Sequence, residues 1–291
     1  MQPDVQAFFD RATSTASYLV SDPATKAAAI IDPVLDFEPK AARLSTASAD
    51  RILAAVKDRG LDLKYVLETH AHADHLSAAD YIRGATGARI AIGAHIVDVQ
   101  KTFIPVFEAD DVSDDGSVFD HLLNEGDVLP LGELTIRVLH TPGHTPADVT
   151  YLIGDAAFVG DTLFMPDYGT ARADFPGGDA RTLYRSIRKV LGLPPRTRVF
   201  VGHDYLPAGR DAFRWESTVA EQREKNIQVH EGVSEDDFVA AREARDATLA
   251  APTLIWPSLQ VNIRGGALPK ASRSGRVFLK VPISRADAPQ S

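Results

Sequence analysis

The chain has 291 residues, 44% of them hydrophobic and 24% charged, an ordinary balance for a globular protein that can bury a large core. It carries no cysteine, which excludes disulfides, thiolate metal ligands and a cysteine nucleophile. A formal net charge of −9 argues against general nucleic-acid binding, which wants a basic footprint.

No stretch of about 18 apolar residues offers a membrane span. Met1-Gln2-Pro3-Asp4 has neither the charged nor the apolar region of a signal peptide. The expectation is a cytoplasmic protein with neither membrane nor nucleic acid as partner, its lack of thiols suiting a reducing compartment. Oligomeric state is left open, a homodimer among the options.

Residues 15–20 and 27–32 read as strands joined by the turn residues Asp22-Pro23-Ala24-Thr25. The segment 35–48 reads as polar and irregular. Ser48 is expected to cap a helix over 49–59, with Ile52, Leu53 and Val56 on one face and Gly60 as its stop. The apolar run Tyr65-Val66-Leu67 marks a strand over 64–68, and a helix is expected over 77–85. Between them lies Thr69-His70-Ala71-His72-Ala73-Asp74-His75. Three imidazoles and a carboxylate therefore crowd the C-terminal end of a strand, where open α/β sheets place ligand chemistry. These residue types are good ligands for divalent metals.

A short strand comes next at 88–92, then an acidic loop at 108–117. Strands at 126–129 and 134–139 flank Leu131-Gly132-Glu133, and the second leads into His140 and His144. Strands at 149–153 and 156–160 flank Gly154-Asp155, a hairpin signal, and the second ends at Asp161. Leu183, Ile187, Val190 and Leu191 give an amphipathic helix over 179–191, and a strand at 198–201 delivers His203. Four strand ends thus carry possible ligands to one rim. Beyond 210 the pattern is helical at 215–227 and 234–249, the latter opened by Ser234-Glu235-Asp236-Asp237. Residues 252–257 and 259–264 read as extended. Alternating strands and helices point to a layered α/β sandwich.

Thr69–His75 resembles the T-H-x-H-x-D-H motif of the metallo-β-lactamase superfamily. His140-Thr141-Pro142-Gly143-His144-Thr145, Gly160-Asp161-Thr162-Leu163-Phe164 and Gly202-His203-Asp204-Tyr205 are similar, in order and approximate spacing, to its remaining ligand motifs. The resemblance covers residues 14 to about 210 well and the C-terminal third more loosely. It implies a four-layer αβ/βα sandwich. A metallo-β-lactamase-like catalytic domain is expected over 1–210, with a helical and extended segment over 211–291 packed on the same domain.

The superfamily's two-metal ligand set is matched by His70, His72, Asp74, His75, His144, Asp161 and His203. Glyoxalase II, a thioester hydrolase using two Zn(II) per chain, resembles the sequence at all of these positions. The run Asp167-Tyr168-Gly169-Thr170-Ala171-Arg172-Ala173-Asp174-Phe175-Pro176-Gly177-Gly178 looks instead like the persulfide dioxygenases. So do Thr182-Leu183-Tyr184-Arg185-Ser186-Ile187 and the late Gln260-Val261-Asn262-Ile263-Arg264. That second resemblance implies one Fe(II) per chain on His70, His144 and Asp161, with no catalytic group beyond the metal centre. His72, Asp74, His75 and His203 would then be outer partners of the ligands or remnants of a second metal site. It also implies glutathione persulfide and O2 as substrates. Glutathione carries two carboxylates, and Arg172, Tyr205 and Arg264 are the candidate contacts to it. His95, His121 and His230 lie outside the motifs and read as ordinary; His140 reads as an outer partner of the ligands or as structural.

Overall fold

A computed structural model describes residues 2–283. Strands β1 (Asp4–Asp10), β2 (Thr15–Ser21), β3 (Ala27–Ile31), β6 (Asp62–Leu67), β8 (Arg89–Gly93) and β9 (His121–Leu123) form one six-stranded sheet in the order β1-β2-β3-β6-β8-β9. Strands β10 (Val128–Leu131), β11 (Leu134–His140), β12 (Val149–Ile153), β13 (Ala156–Phe158), β14 (Arg198–Phe200) and β15 (Glu216–Thr218) form a second, in sequential order. A small third sheet pairs β4 (Val34–Glu38) with β5 (Arg43–Ser45) and β7 (Leu76–Ser77). Helices are α1 (Ala47–Asp58), α2 (Ala79–Thr86), α3 (Ile96–Phe107), α4 (Ala180–Leu191), α5 (Val219–Lys225), α6 (Glu235–Asp246) and α7 (Ile255–Asn262).

Side-chain alternation explains the layering. Along β2, Ala16, Tyr18 and Val20 enter the core between the two large sheets, where they meet Ile136, Tyr151 and Phe158. Leu19 points the other way, into a core shared with Ile52 of α1, Ile82 of α2 and Phe103 of α3. Every residue of β2 is therefore buried, as expected of a strand covered on both faces. A third core lies between the second sheet and α4 and α6, around Leu183, Ile187, Val199 and Phe238. Helix–sheet–sheet–helix is the αβ/βα sandwich.

Several elements differ from the sequence reading. Residues 35–48 contain the β4–β5 hairpin, and β1 and α3 had no assignment. Helix α1 opens at Thr46 rather than Ser48. Ser48 instead donates through its hydroxyl and its backbone N–H to the Asp36 carboxylate at 2.7 and 2.9 Å. The 215–227 segment splits into β15, which extends the second sheet, and α5, capped by the Thr218 hydroxyl. Residues 255–262 are helical where extended chain was expected. Pro257 falls in the first turn, where its missing N–H costs no helix bond.

The strands that matter most end together. Ala16 N–H donates to the Gly202 carbonyl, Gly202 N–H to Gly160 and Val149 N–H to Thr69, each at 2.9–3.0 Å. The first and third bonds tie the two large sheets to each other, and the second joins the ends of β13 and β14.

Candidate metal centre

Thr69–His75 continues from β6 as a loop whose histidines are buried, His70 and His72 being 2% exposed and His75 fully enclosed, while Asp74 is partly exposed. Burying so many polar groups is costly unless each finds a partner. Their outer atoms do. The Thr69 hydroxyl donates to Asp32 Oδ2 at 2.8 Å, so it can only accept from His70 Nδ1, 3.0 Å away. That fixes the His70 proton on Nδ1 and leaves the Nε2 lone pair facing inward. His144 Nδ1 donates to the Arg172 carbonyl at 2.7 Å, with the same result for its Nε2. His72 Nε2 sits between Asp32 Oδ1 at 3.0 Å and Glu68 Oε2 at 3.1 Å. His203 Nδ1 faces the Ser14 carbonyl at 3.3 Å. Asp32 holds its position from a left-handed backbone, φ 48°, which Asp tolerates better than most residues.

The inner atoms have no such partners. Among the described residues, the buried side-chain atoms without a hydrogen bond include His70 Nε2, His72 Nδ1, Asp74 Oδ2, His75 Nε2, Asp161 Oδ1 and His203 Nε2. An orphaned buried polar atom calls for an explanation, and these six converge on one place. Together with His144, these residues form two groups whose donor atoms lie within 4.8 Å of one another: His70 with His144 and Asp161, and His72 with Asp74, His75 and His203. His203 Nε2 lies 3.2 Å from Asp74 Oδ2 and 3.4 Å from Asp161 Oδ1, so Asp161 stands between the groups. Imidazoles and carboxylates aimed inward, with outer atoms pinned, fit a divalent cation. This is a metal-binding site.

Electrostatics agree for His70 and His75. Burial pushes His70 and His75 below the usual histidine range, which keeps them neutral as ligands must be. Burial acts on His72 too, but the Asp32 and Glu68 carboxylates outweigh it and hold its pKa well above the ordinary value. Burial opposes ionisation of Asp74 as well; His203 and His75 overcome it and keep the carboxyl well below its usual range.

A cavity of about 800 Å³ opens over Asp74, His144 and Asp161. Phe164, Tyr168 and Tyr205 form an aromatic wall, with Tyr205 stacked over His203 at 5.6 Å between ring centroids. Arg172 also lines the cavity, although its guanidinium is engaged by Asp174 and by the Ala250 carbonyl. Arg264 is not in the lining. It is buried, donating to Asp111 at 2.6 Å and to the Gln260 carbonyl at 2.6 Å. His140 Nε2 donates outside the cavity, to the Pro146 carbonyl at 3.0 Å, and the ring stacks on His95.

Sequence reasoning missed Asp32, Glu68 and Asn262. Asp32 had a signal, since it too ends a strand. Asn262 lay inside the late run that resembles the persulfide dioxygenases but drew no role: it reaches across from α7 to donate to the His72 and His75 carbonyls at 2.7 and 2.8 Å.

The model of the metallo-beta-lactamase superfamily matches residues 10–203, a span that contains all seven candidate ligands. The chain belongs to the metallo-β-lactamase superfamily. It is 55% identical to a probable metallo-hydrolase of Burkholderia pseudomallei over 96% of this chain and 98% of that one. A beta-lactamase hydrolase-like protein of Xylella fastidiosa is 52% identical over 97% of this chain, which spans 65% of that longer relative. The human mitochondrial persulfide dioxygenase ETHE1 is 30% identical over 69% of this chain and 68% of its own length. Among solved structures, ETHE1 from Myxococcus xanthus superposes with a TM-score of 0.73 at 33% identity, covering 91% of this chain and all of that one. Among the described residues, no helix is long and apolar enough to cross a membrane.

Proposed function

We propose that this superfamily member is an iron-dependent persulfide dioxygenase. Glutathione persulfide, O2 and water would give glutathione, sulfite and two protons. The observation that carries the reading is the separate buried group of His70, His144 and Asp161. Two histidines and one carboxylate on one side of Fe(II) leave positions open for oxygen chemistry. A ferrous ion there would supply the open positions and the redox chemistry that bring the terminal sulfur and O2 together.

This chain's own residues supply the rest. Thr69 and the Arg172 carbonyl orient the two histidines. Phe164, Tyr168 and Tyr205 wall the approach with apolar surface and limit water above the centre. His203 Nε2 and Asp74 Oδ2, 3.2 Å apart, face the centre beside that group. Glutathione's carboxylates need cations, and Arg43 and Arg245 line the cavity with no carboxylate partner among the described residues. They join Arg172 and Tyr205 as the proposed substrate contacts, and Arg264 is left out because it does not line the cavity and its guanidinium is buried on Asp111.

One observation favours a second reading, a glyoxalase-II-like thioester hydrolase with two Zn(II) per chain. The donors of the second group, His72, Asp74, His75 and His203, are also orphaned and could hold a second cation. Oxygen uptake on adding glutathione persulfide to anaerobically iron-loaded protein, with metal counted on the same sample, separates the two. Sulfite formed with O2 consumed at about one iron per chain supports the dioxygenase. Cleavage of S-lactoylglutathione by protein holding two metals, without oxygen uptake, overturns it.

A further inference from the structure

His144 is held by a loop with no regular structure of its own. Residues 161–179 contain neither helix nor strand, yet the Arg172 carbonyl must stay within hydrogen-bond reach of His144 Nδ1. The groups on either side of that carbonyl are stapled to α6. Ala173 N–H donates to Asp246 Oδ2 at 2.9 Å. Arg242 Nη1 donates to the Thr170 carbonyl at 3.3 Å. The same guanidinium grips Asp246 Oδ1 at 2.6 and 3.0 Å. Gln228 closes the ring, its Oε1 accepting from the Thr170 hydroxyl at 2.9 Å and from Arg242 at 3.3 Å.

Arg242 and Asp246 are 3% and 6% exposed. A buried ion pair is weak ground for stability, because desolvation offsets most of the attraction. Nor does α6 need it to dock. Phe238 already sits in the core beside α4, and Arg181 and Arg185 bind Glu235 at the helix start. What the pair does hold is the loop backbone on both sides of Arg172.

We propose that Asp246 and Arg242 are positioning residues for His144. They fix the Arg172 carbonyl. The carbonyl keeps the His144 proton on Nδ1 and sets the ring angle, so that Nε2 faces the centre 3.7 Å from Asp161 Oδ2. Through them a C-terminal helix that touches no ligand sets the geometry of one. The proposal rests on His144 being a metal ligand and holds for one metal or two.

The test is a double-mutant cycle read by metal affinity on the full-length protein. Asp246→Asn keeps the shape but weakens both bonds. Arg242→Met with Asp246→Leu removes both charges and leaves neither stranded. Cobalt(II) affinity is measured by chelator competition and its visible bands report coordination geometry. Losing an outer partner of a ligand costs about 10–100-fold in metal affinity. The paired variant is therefore expected to bind cobalt at least about tenfold more weakly, with shifted bands. In a His144→Ala background the same change should have no further effect. Equal weakening in that background means the pair acts elsewhere and overturns the proposal, as does affinity within about twofold of the parent. Should the paired variant not fold, Asp246→Asn decides alone by the same criteria. If His144→Ala itself leaves affinity unchanged, the ligand assignment fails, and this inference with it.

Discussion

Asn262 is the most exacting test of how the metal loop is held. Its side chain is 4% exposed and makes three bonds to backbone. Nδ2 donates to the His72 and His75 carbonyls at 2.7 and 2.8 Å, and Oδ1 accepts from Ser77 N–H at 2.8 Å. Asn262→Ala strands two carbonyls and one N–H. Each orphaned buried group costs about 1–3 kcal/mol, so the ceiling is about 9 kcal/mol. The vacated space can admit a water that restores part of this, and we expect a net loss of about 3–4 kcal/mol, a large share of a typical total of ~10 kcal/mol. Asn262→Asp is the sharper perturbation. It keeps the shape but turns the donor facing two carbonyls into an acceptor. Burial and those carbonyls would raise the introduced carboxyl's folded pKa above its unfolded value. Its neutral form is then tolerated at low pH, and stability is lost as pH rises through the folded pKa. Urea unfolding between pH 5 and 8, with chelator competition for bound metal, reads both effects. An alanine variant within about 1 kcal/mol of the parent and with unchanged metal affinity would refute the clamp.

Three further outcomes are expected. Hydrogen bonds from Arg264 pull the Asp111 carboxyl down to about 2. A depressed carboxyl stabilises above its unfolded pKa and loses that contribution as pH falls toward 2, so Asp111→Asn should cost about 1–2 kcal/mol at pH 7, discounted for its partial exposure, and progressively less toward pH 3; paired urea titrations giving a constant difference would contradict this. Arg43→Ala combined with Arg245→Ala should raise KM for glutathione persulfide about 5–10-fold and leave kcat nearly unchanged, as the loss of uniform binding by exposed charges does; an unaltered KM in oxygen-uptake assays removes both from the substrate site. A Cβ at Gly202 would meet Asp161 Oδ1 at 2.8 Å, so Gly202→Ala should displace that carboxylate and weaken metal binding about tenfold, and chelator competition showing parent-like affinity would rule out the clash.

The candidate ligands were legible because each is local to a strand end. Tyr65-Val66-Leu67 announces β6, and residues just past the C-terminal end of a buried strand lie on the functional rim. The same logic reached His144, Asp161 and His203, all of which join the centre. Helix α3 escaped notice although Ile96, Val99, Gln100, Phe103 and Phe107 are buried at helical spacing. Its β-branched and aromatic residues and Pro105 mask that period, and packing overrides such weak propensities. In 252–262, two prolines obscured a helix, though Pro257 sits where a helix accepts it.

The failures at the site have a different cause. Arg264 lies two residues past Asn262, the last residue of α7, and the arginine drew the functional reading because charge is what an anionic substrate recruits. The fold reverses the roles. Two positions separate a side chain that faces Asp111 from one that faces the metal loop. Which of the two points at the loop depends on the rotation of α7 about its axis, and that is set by Leu259, Val261 and Ile263 entering a core built from α1, α2 and α3. Arg172 carries the same lesson in its backbone. Its carbonyl, a group every residue possesses, orients His144, while its guanidinium binds Asp174. Residue type therefore predicts ligands, whose chemistry resides in the side chain. It fails for the groups that orient them, because a carbonyl or an amide qualifies only by where the distant packing of the chain leaves it.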